Sequence, residues 1–165
     1  MAFIRWNDFY GINVAEIDQQ HQRLFDLINE LYEAHHGPDN CHDPGPGSPD
    51  HRAAANPRGQ PETVGSVVDE LETMLAVLDE LIDYTTYHFS AEEEHMVAYG
   101  YPVHGPHKAA HNHFVEKIQA FRRDFDEGRA VQPMEILHFL AGWLKQHILG
   151  TDKALGKFLN KKGMT

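Results

Sequence analysis

The sequence predicts an all-α fold, an up-down-up-down four-helix bundle with an extended N-terminal arm. Apolar residues recur at steps of three and four along four separate segments, the mark of a helix with one buried face. Gly and Pro punctuate the joins, at Gly37-Pro38, at Tyr99-Gly100-Tyr101-Pro102, and between Gly128 and Pro133. Seven residues able to bind a metal, His21, His88, Glu92, His107, His111, His147 and Asp152, fall on the same apolar stripes. Amphipathic helices joined by mostly short links bury their stripes most simply as an antiparallel bundle.

At 165 residues the chain is expected to form one domain over 1–165, long enough to bury a proper core. Its 41% hydrophobic and 24% charged residues are ordinary for a globular protein. A formal charge of -11 argues against nucleic acid and anionic membrane surfaces as partners. The single cysteine, Cys41, excludes an intrachain disulfide and fits a reducing compartment. The first residues lack the basic and apolar regions of a signal peptide. No apolar run approaches the roughly 18 residues that span a bilayer. The chain therefore reads as cytoplasmic and not inserted in a membrane. The 13 His are the outlying count.

Residues 1–17 carry Trp6, Phe9, Tyr10, Ile12, Val14 and Ile17 without helical spacing and read as an arm lying on the body. Asp18 is expected to cap a first helix, whose face His21, Leu24, Ile28 and Leu31 ends near His36 before Gly37-Pro38. Residues 37–61 hold most of the chain breakers and no apolar period. They read as a Gly/Pro-rich surface insertion between the first and second helices, longer than loops of compact domains run. A second helix is expected from Thr63 or Ser66 to Tyr99, with Leu71, Leu78, Thr85 and Glu92 in one heptad row. Leu75, Ile82 and Phe89 form the next row, with Leu81 and His88 beside it. Pro106 suits the first turn of a third helix, through His107, His111, Phe114, Ile118, Phe121 and Phe125 to Gly128. Pro133 opens a fourth, through Ile136, Leu140, Trp143, Leu144, His147 and Ile148, with Leu155, Phe158 and Leu159 beyond Gly150.

Residues i and i+4 of a helix lie about 40° apart around its axis and about 6 Å along it, so His88/Glu92 and His107/His111 can each serve one ion or two adjacent ones. An HxxxH pair alone is weak, since 13 His in 165 residues give such a pair by chance, and a lone His on an apolar face is commonly a hydrogen-bonded core residue. The conjunction is informative. Five imidazoles and two carboxylates buried without metal leave unpaired polar groups, each costing roughly 1–3 kcal/mol, and coordination removes that cost. Asp152 follows His147 by five residues, which an ideal helix places about 140° away. Both face inward only if the helix loosens near Gly150, as in a π-type bulge.

These stretches, W-N-D at 6–8, E-I-D-Q-Q-H at 16–21, Y-H-F-S-A-E-E at 87–93, Y-P then H-K-A-A-H within 101–111, and W-L-K-Q-H-I-L-G-T-D-K at 143–153, resemble the hemerythrins, most closely the bacterial single-domain members. The resemblance covers nearly the whole chain outside the insertion. It implies a non-haem di-iron site, two iron ions with an oxo or hydroxo bridge, and O₂ as ligand. His107, His111 and His147 would hold one ion, His21 and His88 the other, and Glu92 and Asp152 would bridge them. Leu24, Phe89, Trp143, Leu144 and Ile148 match apolar O₂-pocket positions, although they would be bundle core in either case. The implied function is reversible O₂ binding by a carrier, store or delivery protein rather than an enzyme. Only two carboxylates among seven donors make a site poor in anions, which favours binding O₂ over oxidising a substrate. The alternatives are an O₂ or redox sensor acting in trans, with the insertion 37–61 docking a protein partner, and a di-iron redox enzyme such as a peroxidase or nitric oxide-handling protein. Ferritin-like oxidases favour Glu-x-x-His pairs and more carboxylates, which counts against the last. The donor set also tolerates manganese.

His35, His36, Cys41, His42 and His51 cluster in or beside the insertion. They could bind a softer metal such as zinc or copper, but their spacing matches no compact ligand pattern, and the segment reads as a solvated loop. His113 and His138 fall off the ligand stripes. Glu93 and Glu94 read as a solvated helix face.

Overall fold

The computed structural model describes residues 2–36, 64–129 and 131–165. The expectations for the insertion 37–61, including Cys41, His42 and His51, lie outside the described residues. Helix α1 spans Ala15–His36, α2 Val64–Tyr99, α3 His104–Asp126, α4 Pro133–His147 and α5 Lys153–Lys161. A five-residue π turn, Ile148–Asp152, joins α4 to α5. Ile148 and Lys153 both keep right-handed helical backbone angles, so α4, the π turn and α5 run on as one rod. Contacts run α1 to α2, α2 to α3, α3 to α4 and α4 to α1, closing the four-helix bundle that the sequence predicts. The described residues contain no strand.

Local chemistry sets the ends. Gly100 has φ 68°, and the amides of Gly100 and Tyr101 return to Val97 and Met96 at 3.2 and 2.8 Å. Gly128, at φ 67°, and Arg129 return in the same way to Phe125 and Asp124, at 3.0 and 2.9 Å. Both are left-handed stops that satisfy the last carbonyls of a helix, and both favour Gly, which has no Cβ to clash. Pro133 is the first residue of α4, where its missing N–H costs nothing.

Three expectations need correction. The arm is not wholly extended, because Asp8–Tyr10 form a 3₁₀ turn in which Phe9 N donates to Asn7 Oδ1 at 3.0 Å. Asp18 does not cap α1, which begins three residues earlier. Its carboxylate turns back to accept from Ile12 N at 2.7 Å and Asn13 N at 3.1 Å, so it ties the arm instead. Leu71 is 43% exposed, although its heptad row continues into the core at Leu78 and Thr85. From the level of His21 and His88, whose rings lie 4.8 Å apart, α1 runs 15 residues to His36. The antiparallel α2 reaches that height near residue 73, and Leu71 lies past it.

Two apolar clusters flank one polar layer. Ile17, Met96, Tyr101, Leu155 and Leu159 pack with the arm residues Ile12 and Val14 on one side. Leu24, Phe89, Phe114, Leu140 and Leu144 belong to the larger cluster on the other. On α1, on α2 and on the rod of α4 and α5 the predicted ligands fall between members of the two clusters, and on α3 His107 and His111 lie between Phe114 and Tyr101, which just precedes the helix. That bilayer of apolar packing holds the polar residues rigidly and dry.

Candidate metal centre

All seven residues converge. His21, His88, Glu92 and Asp152 are fully buried, and His107, His111 and His147 are 1–5% exposed. His21 comes from α1, His88 and Glu92 from α2, His107 and His111 from α3, His147 from the end of α4, and Asp152 from the end of the π turn. The wider π turn is what lets His147 and Asp152, five residues apart, share a face, with Nε2 and Oδ1 3.1 Å apart.

The carboxylates divide their oxygens between two groups of imidazoles. Glu92 Oε1 lies 3.9 Å from His21 Nε2 and 3.8 Å from His88 Nε2. Its Oε2 lies 3.4 Å from His107 Nε2 and 3.2 Å from His111 Nε2. Asp152 Oδ2 lies 3.3 Å from His21 Nε2, while Oδ1 lies 3.2 Å from His107 Nε2 and 3.1 Å from His147 Nε2. Within the three-His group, Nε2 of His147 is 3.0 Å from that of His111 and 3.2 Å from that of His107. Two groups of donors able to hold a cation result, Glu92 with His107, His111, His147 and Asp152, and Glu92 with His21 and His88.

The donor set fits metal ions. Donors about 2.1 Å from an ion sit about 3.0 Å apart when adjacent in an octahedron, close to the spacings within the three-His group. Both nitrogens of His21, Nε2 of His88, Nδ1 of His107, and all four oxygens of Glu92 and Asp152 are buried without a hydrogen-bond partner. Native interiors rarely leave buried polar atoms so, and cations at the centre would satisfy the inward-facing ones.

The electrostatics of the metal-free centre agree. Burial and the nearby Asp152 push the Glu92 carboxyl up, but His88, His107 and His111 overcome them and hold it at about 2. Asp152 is likewise held well below its ordinary value, with His147, His107 and His21 overcoming its burial. Burial pushes His107 down, yet the Asp152 and Glu92 carboxylates beside its Nε2 lift it to about 9. Burial lowers His88 to about 4. The two anions thus raise His107 and His21 against their burial, while burial prevails at His88.

Four of the five predicted pocket residues, Leu24, Phe89, Trp143 and Leu144, line an apolar cavity of about 10 Å³, counted as space for the centre of a water-sized molecule and close to the room one such molecule needs. Ile28, Leu81, Thr85, Phe114 and Leu140 complete the wall. The Thr85 hydroxyl donates to Leu81 O at 2.6 Å, so it turns no unmet donor inward. Ile148 is fully buried but is not on this wall. It follows His147, at the level of the polar residues, whereas the cavity lies one turn below. Phe89 stacks on His111 with centroids 3.7 Å apart, and Trp143 on His147 at 4.3 Å.

Two partners of the ligand candidates escaped the sequence reading. Gln20 is 4% exposed and accepts from His88 Nδ1 at 2.9 Å. Glu93, expected on a solvated face, is 18% exposed along its side chain and reaches His111 Nδ1 at 3.3 Å while pairing with Lys108. His113 and His138 are exposed, away from the centre as expected, and His138 meets Phe3 of the arm.

Fold and site together define a class, an antiparallel four-helix bundle built around a buried imidazole–carboxylate centre. The hemerythrin HHE cation-binding domain model matches residues 13–159, and the chain belongs to the hemerythrin family. It is 32% identical to a bacteriohemerythrin of Stenotrophomonas maltophilia over 93% of this chain and 80% of the relative. A bacteriohemerythrin of Methylococcus capsulatus is 29% identical over 97% and 99% of the two chains. A crystal structure of wild-type hemerythrin superposes with a TM-score of 0.73 at 26% identity, covering 96% of this chain and 98% of that one.

Proposed function

We propose that the chain holds two iron ions and binds O₂ reversibly, as a carrier, store or delivery protein. The observation that carries this reading is the division of carboxylate oxygens. Glu92 and Asp152 each turn one oxygen to the two-His side and the other to the three-His side, the arrangement of side chains that bridge two ions. His107, His111 and His147 would hold one ion, His21 and His88 the other, leaving the second with fewer protein donors and an open position for a ligand. When bound, the iron pair supplies the electrons that make O₂ a reversible ligand.

The chain's own residues provide the rest. Leu24, Phe89, Trp143 and Leu144 keep the space beside the centre apolar, which excludes water and the protons that help reduced oxygen species escape. Gln20 and Glu93 fix the rings of His88 and His111 from outside. The family match over 13–159 supports one hemerythrin-like domain. Among the described residues no helix is long and apolar enough to cross a membrane, which, with the single Cys and the acidic charge, supports placement in the cytoplasm.

Iron analysis of protein purified without oxygen tests the assignment. Two irons per chain are expected, falling below two in both His88→Ala and His147→Ala. Fewer than two in the parent protein, or full loading in both variants, would overturn it.

A further inference from the structure

The outward nitrogens of two ligand imidazoles, His88 and His111, are held in chemically different ways. His88 donates from Nδ1 to Gln20 Oε1 at 2.9 Å. The orientation of that amide is fixed by its other end, since Gln20 Nε2 donates to Glu16 Oε1 at 3.4 Å. A neutral amide therefore stands between His88 and the nearest surface carboxylate on that path. His111 instead meets a carboxylate directly, with Nδ1 3.3 Å from Glu93 Oε1. An ionised carboxylate only accepts, so Nδ1 of His111 carries the proton and Nε2 is left free to face the centre. The other oxygen of Glu93 pairs with Lys108, whose side chain is 48% exposed. A surface depression of about 300 Å³ is lined by Glu93, Lys108 and His111. It brings this pair to the solvent while the ring of His111 stays buried.

A carboxylate accepting from the outer N–H of a metal-bound imidazole makes that imidazole a more basic donor. It also places a negative charge near the ion through protein of low dielectric, where charges act strongly. Both effects favour the more highly charged oxidation state. A neutral amide does much less, and a cation beyond the carboxylate opposes it.

The geometry points to Glu93 as a positioning residue that holds His111 as its Nδ1–H tautomer and lowers the reduction potential of the ion on the three-His side, with Lys108 as the surface charge that moderates it. The two ions are then unlike in their outer partners as well as in their ligand counts. This rests on the two-iron reading above.

The test is a spectroelectrochemical titration of the iron-loaded protein, its Glu93→Gln variant and its Lys108→Met variant, with iron counted in each sample. Gln keeps the shape and an acceptor oxygen and removes the charge, so the midpoint is expected to move positive. Lys108→Met removes the opposing cation, so the midpoint is expected to move negative. A carboxylate that only propped the ring would not yield shifts of opposite sign. Unmoved midpoints, or shifts of one sign in both variants, with two irons still bound, would overturn the inference. Should Glu93→Gln fail to hold iron, Lys108→Met decides alone, a negative shift supporting the inference and any other result overturning it. Failure of the parent protein to hold two irons would count against the functional reading instead, so the two failures are distinguishable.

Discussion

Glu92 and Asp152 put two negative charges in a fully buried layer, and the imidazoles around them answer to those charges at His107 and to burial at His88. In the metal-free protein His107 is raised to about 9 from 6.5. Its contribution to stability is complete below 6.5 and is lost as pH rises through 9. His88 is lowered to about 4. It stays neutral in the folded state while the unfolded chain takes up a proton, so stability falls as pH drops from 6.5 toward 4. Glu92, lowered to about 2 from 4.5, contributes above 4.5 and loses its contribution as pH falls through 2. Urea-denaturation midpoints of the metal-free protein are expected to peak near pH 6.5 and to decline on both sides. A flat profile from pH 5 to 9 would count against these assignments. At this scale the seven ligand candidates were legible, because polar residues continued apolar stripes. Gln20 and Glu93 were not. Each sits beside a ligand candidate in sequence but serves a different one, 68 and 18 residues away, a pairing that only the packing of α1, α2 and α3 creates.

Among the elements, the π turn and the arm carry the most consequence. The turn was legible from arithmetic alone, since five residues separate His147 from Asp152 and only a loosened helix turns both inward. The arm was legible as present but not in its fastening. Asp18 suggested a cap by its residue type and place. Its role as a tie for Ile12 and Asn13 depends on the path of the arm, which has no periodicity to read. Gly156 shows how close that path runs. A Cβ there would lie 2.6 Å from Ile12 O and 2.7 Å from Ile12 Cβ, well inside van der Waals contact, and backbone cannot step aside as a long side chain can. Gly156→Ala is expected to lift the arm from α5 and destabilise the fold by about 1–3 kcal/mol, as overpacking does. Chemical denaturation checks this. A loss below about 0.5 kcal/mol, the usual range of surface substitutions, would show that the arm accommodates the methyl group. The arm also covers the centre, for Trp6 packs on Phe25 at 5.5 Å and lies 6.3 Å from His21.

For the whole molecule, the bundle followed from periodicity, and the order of helices around it from their links. The overreach was at Leu71, where a heptad row in sequence ran past the end of its partner helix. A row predicts which face is buried, not how far the neighbour extends. The same global view makes the proposed metal ions part of the stability of the fold. The centre ties α1, α2, α3 and the rod of α4 and α5 together, and without cations it leaves six inward-facing buried polar atoms, Nε2 of His21 and of His88 and the four oxygens of Glu92 and Asp152, without a partner. Removing the metal is therefore expected to lower the thermal midpoint by about 10 °C, given about 2–4 °C per kcal/mol for a domain of this size and about 3–4 kcal/mol of linkage from a tightly bound ligand. Scanning calorimetry of the loaded and chelated forms measures it. Equal midpoints would mean that the buried donors are satisfied without metal.

The most direct test of reversible O₂ binding is a visible spectrum of the reduced, iron-counted protein. It is taken without oxygen, then with it, then after oxygen is withdrawn, over several cycles. A charge-transfer band that rises with O₂ and vanishes on its removal, with two irons retained throughout, is the expected result. Iron that oxidises without such a band, or a band that decays and does not return, would contradict O₂ carriage and leave a redox enzyme as the better description.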